Sequence, residues 1–142
     1  MDDLKLLLTT TTGRIGRQRW WIGTLAIIVI SIIAGIVINI ISFGSATVVA
    51  WLGVLLNLVM IYPSYCIGIK RRHDRDNDGK DLVALIAASV VVNLLTAMGL
   101  GGFIMTVIQI AMLVFAIYMI VQLGVLKGTE GPNSYGPDPL QG

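Results

Sequence analysis

From Arg19 to Lys70 the chain carries no charged side chain between the two, and from Asp81 to Lys127 it again carries none. A helix needs about 20 apolar residues to cross a bilayer, so each interval has room for two crossings. Each therefore predicts a helical hairpin. SFGSAT at 42–47 supplies the turn of the first, and MGLGG at 98–102 that of the second. The predicted spans are Trp20–Ile41, Thr47–Ile69, Leu82–Ala97 and Phe103–Val125. The third is short and needs Asp81 or Gly99 at the membrane interface. Ahead of the first span, LKLLL at 4–8 predicts a short interfacial segment. Pro63 in the second cannot donate its backbone hydrogen bond and predicts a bend. The pattern gives an all-α integral membrane four-helix bundle built from two transmembrane hairpins.

Composition agrees with the pattern. Of 142 residues, 56% are hydrophobic and only 13% charged, and the mean hydropathy is +0.85. A soluble domain of this size needs far more charge to cover its surface. One cysteine, Cys66, excludes an internal disulfide framework. The charges themselves set the threading. Every basic residue lies in the segment before the first span, in the loop at 70–81, or after the last span, and the acidic residues fall in the same places. By the positive-inside rule both termini and the central loop are expected in the cytoplasm. The first span is too long for the h-region of a signal peptide, and ISFGSA is not a convincing cleavage site.

The central loop reads KRRHDRDNDGKD, and DRDNDG within it spells the first half of an EF-hand calcium loop. Asp74, Asp76, Asp78 and Gly79 fill positions 1, 3, 5 and 6. Position 12 needs a bidentate glutamate and falls on Leu85, so the strongest ligand is missing. His73 is the one histidine, and Cys66 lies back in an apolar run, so a transition-metal set is equally incomplete. No metal or other cofactor is expected.

Three separated stretches, GRIGRQRWWIG at 13–23, KRRHDRDNDG at 70–79 and GTEGPNSYGPDP at 128–139, resemble the small bacterial inner-membrane proteins grouped as domain of unknown function 805, the YhaH/YhaI-like group. The resemblance covers the whole chain in order. Its most specific parts are Arg71, His73, Asp74 and Gly79 in the loop, then Asn133, Gly136, Pro137, Asp138 and Pro139 in the tail. It implies a multi-pass protein of the bacterial inner membrane and carries over no established activity. The chain departs from the family in having Asp78 where a serine is common, and Lys80-Asp81 where tryptophans are common. The calcium-like spacing is partly a product of that Asp78.

Two arginine clusters, one containing Arg14 and Arg17 and the other Arg71 and Arg72, lie at the ends of neighbouring helices. Topology alone accounts for them. A sharper reading joins them into one basic shelf at headgroup depth, where each cation is worth about 1 kcal/mol toward an anionic leaflet. His73 and Asp74 suit either an acid/base pair or a structural cap that ties the loop to Arg14 or Arg17. Glu130 and Asp138 in the tail are candidates to dock on the shelf. Trp20 and Trp21 are expected at the near interface and Trp51 at the far one. Asn57, Asn93 and Gln109 are candidates for polar contacts between spans. An intramembrane acid or base, usual in a coupled transporter, is missing from the sequence. The expected role is a non-enzymatic accessory subunit or anionic-lipid-binding scaffold. Alternatives are a small homo-oligomeric transporter or channel, and a membrane enzyme using His73 and Asp74. Expected partners are membrane lipids, a larger membrane complex or further copies of the chain; nucleic acid is not expected.

Overall fold

The computed structural model describes residues 2–140, and all its regular elements are helical. A short α1 (Asp2–Thr9) precedes four long helices: α2 (Arg17–Ile41), α3 (Ala46–His73), α4 (Lys80–Ala97) and α5 (Phe103–Ile120). The last continues without a break into one π-helical stretch, Val121–Val125. The four long helices are long and apolar enough to cross a membrane, which makes this a multi-pass membrane protein. At 18 residues, α4 covers about 27 Å, just under the hydrocarbon thickness.

Local chemistry sets the helix ends. At the end of α2 the Ser42 hydroxyl donates to the Ile38 carbonyl at 2.6 Å. Phe43 and Gly44 then turn the chain with positive φ, and Ser45 accepts from the Val48 N–H as the N-cap of α3. α3 runs through Pro63 as one continuous helix and extends four residues past Ile69 into the charged loop. It extends because Lys70, Arg71 and Arg72 find buried partners there, described below. Gly79, left-handed at φ 75°, starts α4 against the Ile69 side chain.

α2, α3, α4 and α5 pack in chain order, and the π stretch returns to α2 and α3. The ring of helices therefore closes only at the end that carries the charges. Most buried apolar residues gather there: Ile15, Trp20, Ile67, Ile69, Leu82, Met119 and Leu123. In the other half, Ser42, Val54 and Met105 are the buried side chains among the described residues. The remaining surface is apolar and open, as bilayer-facing helices require. Between the helices, beneath Trp20 and Leu123, runs an apolar crevice of about 240 Å³.

Within the spans at this end, Gly68 and Gly124 permit close approach. A Cβ on Gly68 would meet Leu82 at 2.6 Å, and one on Gly124 would meet Trp20 at 2.7 Å and Trp21 at 2.8 Å. Trp20 is accordingly buried and packed edge-on against Trp21, with ring centroids 4.8 Å apart. At the start of the first span it serves in packing. Gly124→Ala should lower stability by about 1–3 kcal/mol through overpacking. The same change at Gly35, which has open space around it, should be neutral or stabilising by up to about 1 kcal/mol. Thermal unfolding of the two variants in one detergent separates packing from the helix preference common to both.

Candidate functional site: the charged cap

A helix ends with carbonyls that have no intrahelical partner, and at a membrane interface those groups still need donors. The last span meets this demand with side chains from elsewhere in the chain. The Gln122 carbonyl accepts from Arg75 at 3.2 Å, that of Leu123 from Arg71 Nε at 2.7 Å, and that of Gly124 from the Trp21 indole at 3.2 Å. The Val125 carbonyl takes Arg17 at 3.1 Å, and that of Leu126 takes the second arm of Arg71. Five successive carbonyls are thus capped by four residues from α2, α3 and the loop. Within the π stretch, Leu126 N–H donates to the Val121 carbonyl at 3.1 Å, the wider turn that spreads these carbonyls toward different donors.

Arg71 is wholly buried, and its remaining arm binds the Asp74 carboxylate one turn later. The same carboxylate binds Arg14, 3.1 Å away, with the side chains of Arg14 and Asp74 only 1% and 5% exposed. Arg14 then donates to the carbonyls of Thr129 (2.7 Å), Gly131 (2.7 Å) and Gly136 (3.1 Å). The tail is fastened from the other side as well. Thr129 donates its N–H (2.8 Å) and hydroxyl (3.1 Å) to the Asp74 carbonyl, and Asn133 donates to the His73 carbonyl at 2.9 Å. Gly128 runs so close to Asp74 that a Cβ there would collide with the carboxylate. The His73 ring stacks on Tyr135 at 3.9 Å and 6° between planes, and its Nδ1 lies 3.3 Å from the Gly13 carbonyl.

A second group fixes α4. Arg72 binds Asp81 in the first turn of α4, the Asn77 side chain and, at 3.2 Å, the Gln122 side chain. Gln122 also accepts from Arg75. On the other flank, Lys70 Nζ donates to Leu6 O (3.2 Å), Leu7 O (2.7 Å) and Thr10 Oγ1 (3.2 Å), holding the end of α1 against α3. The Tyr62 hydroxyl adds a bond to Thr9 O at 2.8 Å.

The cap brings Arg14, Arg71, Arg72, His73 and Asp74 into one assembly and corrects the picture of an exposed shelf. Arg14, Arg71 and Arg72 point inward, because backbone carbonyls and two aspartates satisfy them better than water. Arg17 remains on the surface while bonded to Val125. The His73 and Asp74 side chains take separate partners, so their arrangement is that of a clamp and not of an imidazole–carboxylate pair. The EF-hand-like carboxylates likewise turn apart: Asp74 to arginines, Asp76 to the Ser134 N–H at 3.2 Å, and Asp78 to Lys80 at 2.7 Å. Asp138 accepts from the N–H groups of Gly131 and Leu140 and so folds the tail on itself, while Glu130 stays exposed.

The intramembrane amides do not bridge the spans as expected. Asn93 donates to Ser89 of its own helix at 2.8 Å. The Asn57 Oδ1 is buried without a partner, and exposed Gln109 has no side-chain hydrogen bond among the described residues. Gln122, Thr129 and Tyr135 carry contacts that sequence reasoning missed. Gln122 follows a long apolar run directly, the position from which an amide reaches an interfacial arginine, and this was its one visible signal.

A family model described as protein of unknown function (DUF805) matches residues 8–137. No curated protein and no solved structure matches the chain.

Asp74→Asn should leave Arg14 and Arg71 buried without their counter-charge and destabilise the protein by about 3–5 kcal/mol. Denaturant unfolding in mild detergent measures this, and a loss under about 1 kcal/mol contradicts the role given to Asp74. The tail has its own pH dependence. The N–H of Leu140, that of Gly131 and the charge of Arg14 hold the Asp138 carboxyl below its ordinary value of 3.8. A folded value below the unfolded one means that this contribution is complete above the ordinary value and lost as pH falls through the lowered one. Amide protection at Gly131 and Leu140 should fall over that acid window in the native protein, and Asp138→Asn should abolish the step.

Proposed function

The chain belongs to the DUF805 family of proteins of unknown function, and from that premise we propose that it is a non-enzymatic protein of the bacterial inner membrane, an accessory subunit or an anionic-lipid-binding scaffold. In this reading the charged cap lies at the cytoplasmic face, where the positive-inside rule puts it. The observation that carries the reading is the internal use of the cap's buried charges. Arg14, Arg71, Arg72 and Asp74 are engaged with one another, with Asp81 and with backbone carbonyls, which suits a rigid platform better than a reacting centre. Lys5, Arg17, Arg19 and Lys127 surround it as exposed cations, at the depth where anionic headgroups sit. Lys80 is taken up by Asp78.

A homo-oligomeric transporter or channel is the second reading, favoured by the partnerless Asn57 Oδ1 and the exposed Gln109. Amides in hydrocarbon favour hydrogen-bonding partners, and another copy of the chain supplies them. Native mass spectrometry of protein gently extracted from its own membrane tests both. Retained acidic lipid or a defined partner protein supports the scaffold. A bare homo-oligomer overturns it and directs flux measurements to Gln109→Leu.

A further inference from the structure

α1 leans on α3 and only grazes α2, which leaves a groove of about 390 Å³ between α1, the following loop and the first turns of α2. Leu7, Ile15 and Lys70 line its inner part, and Leu4, Arg19 and Ile22 its outer part. Lys70 sets this groove apart. The three buried arginines each have an aspartate: Arg14 and Arg71 share Asp74, and Arg72 has Asp81. Lys70 is only 3% exposed, yet among the described side chains no carboxylate lies within 4.0 Å of it. Its partners are two carbonyls and a hydroxyl, all neutral. The C-terminal end of α1 offsets roughly half a charge. Lys70 lines the inner wall of the groove, and the uncompensated part of its charge favours an anion there through the intervening protein.

At the rim, Arg19 is 67% exposed and paired only loosely with a still more open Asp3 at 4.0 Å. An incoming anion can replace that contact without disturbing the fold. The surroundings specify what else the ligand carries. Leu4, Leu6 and Ile22 are exposed beside the charges, and the apolar flank of α2 continues from Ile22 to Leu25 and into the span. A small hydrophilic anion leaves that surface wet; a headgroup with acyl chains covers it.

We propose that the groove between α1 and α2 binds one anionic phospholipid, its phosphate on Arg19 and drawn by the charge of Lys70 behind it, its chains along Leu4, Ile22 and the flank of α2. This deepens the scaffold reading, on which it rests, by assigning the lipid to a place. The contribution of Arg19 corresponds to a single cation at a lipid headgroup.

The test uses purified, delipidated full-length protein in neutral detergent, titrated with phosphatidylglycerol and read by native mass spectrometry. The wild type should retain one phosphatidylglycerol in preference to phosphatidylcholine. Arg19→Gln should weaken that retention about fivefold, while Lys80→Gln, which removes an exposed cation outside the groove, should leave it unchanged. Equal losses in the two variants overturn the proposal in favour of diffuse attraction. Displacement of the lipid by millimolar inorganic phosphate overturns it in favour of a free-anion site. Undiminished retention by Arg19→Gln removes the groove and leaves lipid binding by the scaffold standing; no retention by the wild type removes the groove and the lipid-binding reading together, leaving the accessory-subunit reading to the partner search.

Discussion

The Asp74 carboxylate joins three parts of the chain that lie far apart in sequence. It receives Arg14 from before the first span and Arg71 from the end of the second. Through their remaining donors these arginines reach the tail after the fourth span and the end of that span itself. Neither guanidinium could stay buried without a counter-charge, since an isolated buried ion costs far more than its hydrogen bonds return. With the carboxylate between them, both forks are free to reach backbone oxygens at defined positions. The conformations of the tail and of the π stretch follow from where those forks point.

The same arrangement answers a difficulty of membrane proteins, the helix end. Four of the carbonyls after Val121 have donors from α2 and α3, and the fifth has one from the loop. The ring of helices is thereby tied at one end by polar bonds and close glycine contacts. Toward the other end it relies on packing within lipid, where few side chains are buried. Hydrogen bonds, ion pairs and buried side chains are densest where the charges are, and the groove beside α1 lies at that end.

The spans were legible because lipid imposes a requirement averaged over some 20 residues, which charge-free intervals record directly. The family resemblance was legible in residues such as Arg71, Asp74 and Asn133, and the structure gives each a partner. The destinations of the arginines were not legible. Arg71 binds Leu123 and Leu126 through their carbonyls, and a carbonyl leaves no trace in the identity of its side chain. A cation near an interface was therefore read as facing headgroups when it faced backbone. The role of Gln122 is hidden for a similar reason: hydropathy ranks it by its neighbours in sequence, and its partners are Arg72 and Arg75. The side chains that close on Gly68 and Gly124, Leu82 and the two tryptophans, were not legible from those glycines.

The bond from Arg14 to the Gly136 carbonyl spans 122 positions of the chain. A ribosome delivers the N-terminal arginine first and the carbonyls it will hold last. Throughout synthesis and insertion of the spans, Arg14 and Arg71 therefore wait at the membrane surface with part of their donors in water. The cap can lock only when the segment around Gly136 has emerged.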